Sequence, residues 1–209
     1  MINMAKSPKD GQLIYHFTCL DNLPSIIEHG LLPRNRISGF KDVADPEIIL
    51  QRGEYGLNDY IPFHFFCRNP FDGVVQKTHP DFEYMYLTIT RRAAIKHDFK
   101  ILPTHPIYFF HNYQNIYPEQ FKNNFIIPFD YTDGYDRIEW DIMNKRDYGD
   151  EKCKQVCMAE CLYKGTIGIQ AFSGIYVKTK SAEKWVRNVL KEYDIKNPPY
   201  INCNPNMFL

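Results

Sequence analysis

The chain has 209 residues, 44% hydrophobic and 15% aromatic, which is enough apolar material for one buried core, so we expect a single domain over residues 1–209. Basic and acidic side chains number 25 each, so the chain lacks the net positive charge expected of an unspecific DNA-binding protein. No apolar run reaches the roughly 18 residues of a membrane span, and the opening residues lack a signal-peptide core. We therefore expect a cytoplasmic protein with no membrane partner.

Six cysteines are scattered along the chain, and none of them forms a CxxC pair. This spacing favours neither a disulfide framework nor a zinc ribbon. Cys153, Cys157 and Cys161 recur at every fourth position and could share one face of a helix. Because no histidine lies near them, we interpret them as small buried side chains and predict no metal site.

The first predicted elements are a strand and a short helix. Residues 13–18 (LIYHFT) alternate as a strand does, which places His16 and Thr18 on the same face. In DNLPSIIEHGLL, Asp21 or Asn22 can cap a short helix, and Gly30 can end it in a left-handed conformation. Residues 39–58 are polar and contain glycine and proline, so a loop is predicted there.

The rest of the chain interleaves short strands with few helices. Strands are predicted at 61–66, 84–90, 159–167 and 174–179, a short helix follows at 91–98, and a further apolar stretch covers 99–103. A helix from Ser181 carries one apolar stripe. Since neither GxGxxG nor GxxxxGK[ST] is present, the pattern indicates an α+β fold rather than a doubly wound sheet.

Four local patterns follow one another in a characteristic order. They are YHFT at 15–18 with DNLPSIIEHGLL after it, Arg52 ahead of an aromatic run, NDYIPFHFFCRNPF at 58–71, and MAECL around Glu160. In order and spacing they resemble the DarT family of DNA ADP-ribosyltransferases. The resemblance implies an ADP-ribosyltransferase-like fold, with a split central β-sheet, flanking helices and an acceptor-recognition loop. It also implies that NAD binds as a co-substrate, in a bent form, between the two halves of the sheet.

The same resemblance assigns NAD contacts to side chains on the first strand and helix. Two polar side chains on one strand face can present fixed donors and acceptors to a ligand. Other interpretations remain open: His16 can be a core histidine, Asn22 a helix cap and Gly30 a C-terminal cap. The cofactor-binding residues implied by the family are His16, Thr18, Asn22, Gly30, Leu31 and Arg52.

Glu160 and Arg52 are the catalytic residues that the resemblance implies. Cleavage of the bond between ribose and nicotinamide leaves an oxocarbenium-like centre, which a carboxylate stabilises. A guanidinium suits the NAD phosphates, or assists deprotonation of the acceptor. Without the family, Glu160 reads as a solvent-facing strand residue and Arg52 as a surface arginine. Met158 stands where arginine-directed enzymes commonly carry a second acidic or amide residue, which favours a nucleobase acceptor.

A mixed segment, MNKRDYGDEKCKQ, precedes Glu160 in the region where such enzymes recognise the acceptor. Tyrosine can stack on bases while cations meet phosphates, although interleaved acids also fit a solvated loop. The aromatic run at 63–66 is assigned to the core by default, and His64 receives no role. The DNA-binding residues predicted here are Lys145, Arg146, Tyr148, Lys152 and Lys154.

The function implied is NAD-dependent transfer of ADP-ribose to a base of single-stranded DNA, with release of nicotinamide. Such an activity implies a toxin that is kept in check by a macrodomain antitoxin of the DarG type. Two alternatives remain: transfer to RNA or protein, and a nucleic-acid-binding module without catalysis. The sequence leaves the modified base and the oligomeric state undetermined.

Overall fold

A computed structural model describes residues 7–209, so residues 1–6, part of the segment in which no signal peptide is predicted, lie outside it. The strands are β1 (Leu13–Cys19), β2 (Ile61–His64), β3 (Tyr84–Thr90), β4 (Lys100–Leu102), β5 (Phe121–Lys122), β6 (Phe125–Ile126), β7 (Phe129–Asp130), β8 (Glu160–Tyr163), β9 (Gly174–Val177) and β10 (Tyr200–Cys203). The helices are α1 (Leu23–His29), α2 (Pro46–Glu54), α3 (Pro70–Thr78), α4 (Arg91–Lys96), α5 (Pro106–Tyr113), α6 (Tyr131–Arg137), α7 (Trp140–Lys145), α8 (Glu151–Val156) and α9 (Lys180–Glu192).

Eight strands form the central sheet, in the order β10-β9-β3-β1-β2-β8-β4-β7. Strand β1 pairs with β3 along its whole length, from Leu13↔Thr90 to Cys19↔Tyr84, whereas it pairs with β2 only at Tyr15↔His64. The sheet therefore consists of two four-stranded halves that meet at one residue pair. This confirms the predicted α+β class with a central sheet and flanking helices.

Strand positions predicted from alternation agree with the structure. Residues 13–18 and 84–90 lie in β1 and β3, and Ile14 is buried on the face that also carries His16 and Thr18. Strand β2 ends at His64, two residues earlier than predicted. The unpredicted β10 pairs in parallel with β9 at the sheet edge, which is a non-local contact that short-range periodicity does not report.

Helix α1 begins after Asn22, but the capping role predicted for that side chain is wrong, because it makes no hydrogen bond to the first turn. Gly30 follows the helix at φ 78° and ψ 167°. The helix therefore ends where predicted and φ is positive, but ψ lies outside the left-handed helical region. Leu31 then bridges to Ile167, with its N–H 2.8 Å from the Ile167 oxygen. A glycine is needed here because a Cβ would lie 2.6 Å from Thr166 Cγ2.

The loop predicted over residues 39–58 is wrong, because α2 occupies its centre. Asp45 caps that helix by accepting from the N–H groups of Glu47 and Ile48, and Pro46 sits in its first turn, where a missing N–H costs nothing. The composition predicts a loop because this helix has no long apolar stripe. Only its N-terminal signal, Asp45 followed by Pro46, indicates a helix. Its last turn carries Arg52 into the interior.

The C-terminal helix α9 buries one apolar stripe, as predicted. Ala182, Val186, Val189 and Leu190 are buried, whereas Trp185 and Tyr193 are 37% and 38% exposed. None of the helices within residues 7–209 is long and apolar enough to cross a membrane.

The three regularly spaced cysteines are buried but do not share a helical face. Cys153 lies in α8, Cys157 follows its end, and Cys161 lies on β8. Within the residues that the structure describes, no group of three or more His, Cys, Asp or Glu side chains could hold a metal ion.

Gly134 lies in α6 where the helix contacts β4 and β7. A Cβ there would lie 2.7 Å from the Cβ of Ile101 and 2.9 Å from that of Phe129. Alanine normally stabilises a helix interior, but this overlap reverses the sign, and Gly134→Ala is expected to lower the free energy of unfolding by about 1–3 kcal/mol. Urea titration measures the change. Gly168→Ala is the control, since nothing lies within 4 Å of its Cβ position, and an equal loss in both variants would contradict the packing argument.

Candidate active site

A cleft of about 540 Å³ opens where the two halves of the sheet meet. Its walls come from β1, α1, the segment 33–45, α2, β2, α3 and the residues before β8. Of the residues predicted for the site, the cleft is lined by His16, Thr18, Asn22, Leu31, Arg52, Lys154 and Glu160. Gly30 stands behind this wall, as the turn that directs Leu31 into it.

An ion pair between Arg52 and Glu160 lies in the cleft. Arg52 Nη1 donates to Glu160 Oε1 over 2.6 Å, and the two residues are 9% and 5% exposed. The last turn of α2 supplies the arginine, and the first residue of β8, between β2 and β4, supplies the carboxylate. Arg52 Nη2 and Glu160 Oε2 are buried with no hydrogen-bond partner among the residues described, so the protein leaves one donor atom and one acceptor atom of the pair unused.

His64, for which the sequence predicts no role, lies directly opposite Glu160 in the β2–β8 pairing. Its Nδ1 is 3.1 Å from the Ala159 carbonyl oxygen. Because a carbonyl only accepts, Nδ1 carries the hydrogen and Nε2 is left as an acceptor. Burial lowers the pKa of His64, which keeps the ring neutral.

His16 repeats this arrangement across the junction between the two halves. Its Nδ1 donates to the Pro62 carbonyl oxygen over 2.8 Å, and burial lowers the pKa of His16 to about 4. His105, before α5, also lines the cleft, and burial lowers the pKa of its ring to about 4. The three histidine rings are therefore uncharged at neutral pH, and the ion pair of Arg52 and Glu160 lies in the same cleft.

The amide nitrogen and oxygen of Asn22 are both hydrogen-bonded within the protein. The NH2 group donates to Thr18 Oγ1 and to the Lys41 carbonyl, both over 3.0 Å, and Oδ1 accepts from Lys41 N–H over 2.8 Å. Lys41 Nζ also pairs with Asp21 over 2.7 Å. Asn22 therefore holds the segment 33–45 against the first strand, where that segment forms one wall of the cleft.

The segment predicted to recognise the acceptor folds mostly as α7, a turn and α8. Lys154 lines the cleft, whereas Lys152 pairs with Glu139 over 2.6 Å. Tyr148 donates to the Arg68 carbonyl over 2.9 Å. The Arg146 guanidinium lies 5.0 Å from the centre of the Phe66 ring, and Lys145 is exposed at the end of α7.

Two cleft residues carried no signal in the sequence. Arg34 lies in a loop without periodicity, and His105 lies in a connection for which no element was predicted. His64 was visible within the aromatic run, and only its pairing with Glu160 separates it from the core residues beside it.

A two-part mixed sheet with a buried glutamate–arginine pair near its junction agrees with the ADP-ribosyltransferase-like fold that the sequence predicts. The chain belongs to the DarT family: the model described as "ssDNA thymidine ADP-ribosyltransferase, DarT" matches residues 15–209. The predicted family, and the predicted NAD-dependent ADP-ribosylation of single-stranded DNA, are thereby confirmed.

Solved structures of this family share the fold. Thermus sp. 2.9 DarT in complex with ADP-ribosylated ssDNA is 18% identical, with a TM-score of 0.77 over 99% of this chain and 100% of that one. The same protein in complex with NAD+ is 17% identical, with a TM-score of 0.70 over 96% and 98%. Thermosipho africanus DarTG in complex with ADP-ribose is 22% identical, with a TM-score of 0.64, and this chain covers only 51% of it. No curated protein sequence matches the chain.

His16 gives the site a pH-dependent stability with a definite sign. The unfolded chain takes up a proton near pH 6.5, but the folded ring resists it until about pH 4. The contribution of this ring to the free energy of unfolding is therefore nearly constant above pH 7 and falls as the pH drops from 6.5 towards 4, by on the order of 1–2 kcal/mol at pH 5. Urea titrations at pH 7.5 and 5 measure the fall. His16→Gln should show a smaller one, and an unchanged fall in that variant would refute the assignment.

Proposed function

We propose that the cleft binds NAD and that Glu160 and Arg52 catalyse the transfer of its ADP-ribose to a thymidine of single-stranded DNA. The observation that carries this proposal is the buried Arg52–Glu160 pair, with one donor and one acceptor free. Burying two charges is costly unless they are matched, so a pair that leaves polar atoms unsatisfied suits a substrate that completes it.

Cleavage of the glycosidic bond of NAD puts positive charge on the ribose carbon that nicotinamide leaves. Glu160 Oε2 can accept from a ribose hydroxyl, which places the carboxylate beside that carbon. Arg52 Nη1 holds the other carboxylate oxygen and orients the carboxylate, and Nη2 remains to contact substrate. The Nε2 atoms of His16 and His64 carry no hydrogen and can accept hydrogen bonds from further hydroxyl groups.

The acceptor base enters at the end of the cleft formed by the residues before β8. An unpaired base can reach a buried centre that a stacked base cannot, which agrees with a single-stranded substrate. Lys154 lines that end of the cleft, which supports a contact between this predicted DNA-binding residue and a phosphate. Lys145, Arg146, Tyr148 and Lys152 remain candidates for contacts with flanking nucleotides.

A partner and a location are part of the proposal. Similarity to Thermosipho africanus DarTG supports an antitoxin of the DarG type that counteracts this activity. A DNA substrate of this kind puts the activity in the cytoplasm. No metal is assigned a role, and NAD enters as a co-substrate.

Glu160→Gln tests the catalytic assignment. The amide keeps the shape but loses the negative charge, so transfer to a thymidine-containing oligonucleotide is expected to fall by about 100- to 1000-fold. Mass spectrometry of the oligonucleotide after incubation with NAD measures the adduct. Glu119→Gln, at an exposed site, is the matched control. Full activity of the Glu160 variant, or an adduct on thymidine-free DNA, would contradict the proposal, and parallel RNA and protein substrates test the alternative acceptors.

Lys154→Ala tests the DNA side of the cleft. Loss of one phosphate contact should raise KM for the oligonucleotide several-fold and reduce the slope of log affinity against log salt by about 0.7. Lys191→Ala, exposed on α9, provides the control. A KM and a salt slope equal to those of the control would remove Lys154 from the DNA-binding surface.

A further inference from the structure

Arg34 is a second arginine of the cleft and has no assigned role. It lies in a turn at the start of the segment 33–45, and its side chain is 27% exposed. Its guanidinium forms an ion pair with Asp42, with Nη2 3.1 Å from Oδ1, and lies 5.4 Å from the centre of the Phe40 ring. All three of these side chains line the same cleft as Arg52.

The pairing of Arg34 with Asp42 leaves donors available. A guanidinium carries five N–H donors, of which one carboxylate takes only part. Asp42 Oδ1 also accepts from the Ala44 N–H over 3.0 Å, so the carboxylate is fixed by its own loop and not by the arginine alone. A second anion can therefore approach Arg34 without displacing Asp42.

The positive charges of Arg34 and Arg52 also interact. Burial and, to a smaller extent, the charge of Arg52 lower the pKa of Arg34 to about 10, so the Arg34 guanidinium remains charged at neutral pH. Two like charges that line the same cleft favour binding of a ligand that carries adjacent negative charges. A pyrophosphate has this property, and a guanidinium fork matches its oxygens.

We propose that Arg34 binds the pyrophosphate of NAD, together with the free Nη2 of Arg52. The segment that carries Arg34 is held by Asn22 beside Thr18, on the wall that faces the co-substrate, whereas Lys154 marks the end that faces DNA. This assignment rests on the proposed function, because it takes NAD as the ligand of the cleft. It makes Arg34 a residue that sets affinity for the dinucleotide and leaves the bond-breaking step to Glu160.

Binding of three probes to Arg34→Gln tests this assignment by calorimetry. The probes are NAD, ADP-ribose and adenosine, and the last of these lacks phosphate. The affinity for NAD and ADP-ribose is expected to fall about 10- to 100-fold, since one charge-assisted contact is lost, while the weaker binding of adenosine changes little. In turnover, KM for NAD should rise by a similar factor while kcat changes less than threefold.

Two further variants separate a ligand contact from a structural role. Arg36→Gln, two residues along the same turn, exposed and outside the cleft lining, should bind like the unsubstituted protein. Asp42→Asn breaks the ion pair but keeps Oδ1 for Ala44, so it should bind ADP-ribose at least as tightly as the unsubstituted protein.

Different results would overturn the role of Arg34 and the proposed function. Unchanged affinity in Arg34→Gln, equal losses for adenosine and ADP-ribose, or a matching loss in Asp42→Asn would overturn the role of Arg34 while leaving the proposed function intact. Failure of the unsubstituted protein to bind either NAD or ADP-ribose would instead overturn the proposed function.

Discussion

The buried ion pair between Arg52 and Glu160 is the interaction on which the rest of the site depends. Each charge is taken out of water, and each is tolerated because the other lies 2.6 Å away. Removing one partner would leave an uncompensated buried charge, a change that typically costs about 3–5 kcal/mol. Helix α2 and strand β8, which are more than a hundred residues apart in sequence, are therefore linked by a contact that also lies at the proposed catalytic centre.

The weak junction in the sheet provides the space for that pair. Only Tyr15↔His64 joins β1 to β2, so the two halves separate along the cleft and do not close over it. The His16 Nδ1 hydrogen bond to Pro62 reinforces the junction, and the His64 bond to Ala159 holds the start of β8 in the same manner. Each bond fixes one ring nitrogen as a donor and leaves the other as an acceptor. The histidines thus stabilise the frame and set the polarity of the cleft.

The wall formed by residues 33–45 depends on Asn22 more than on its own secondary structure. That asparagine satisfies the Lys41 backbone in both directions and contacts Thr18 as well. A side chain with all of its polar atoms engaged acts by placing its neighbours. The family resemblance implies a place for Asn22 near the co-substrate, and its hydrogen bonds show that it positions the segment that carries Arg34.

Local pattern alone determined the strands β1 and β3, the common face of His16 and Thr18, and the helix that ends at Gly30, because alternation and end signals act over a few residues. The four motifs, in order, also determined the family. Only tertiary structure decided that residues 46–54 form a helix, that Arg34 and His105 line the cleft, and that His64 lies opposite Glu160. Those features follow from contacts between residues far apart in sequence, which a local pattern does not encode. The buried ion pair between Arg52 and Glu160 is a contact of this kind.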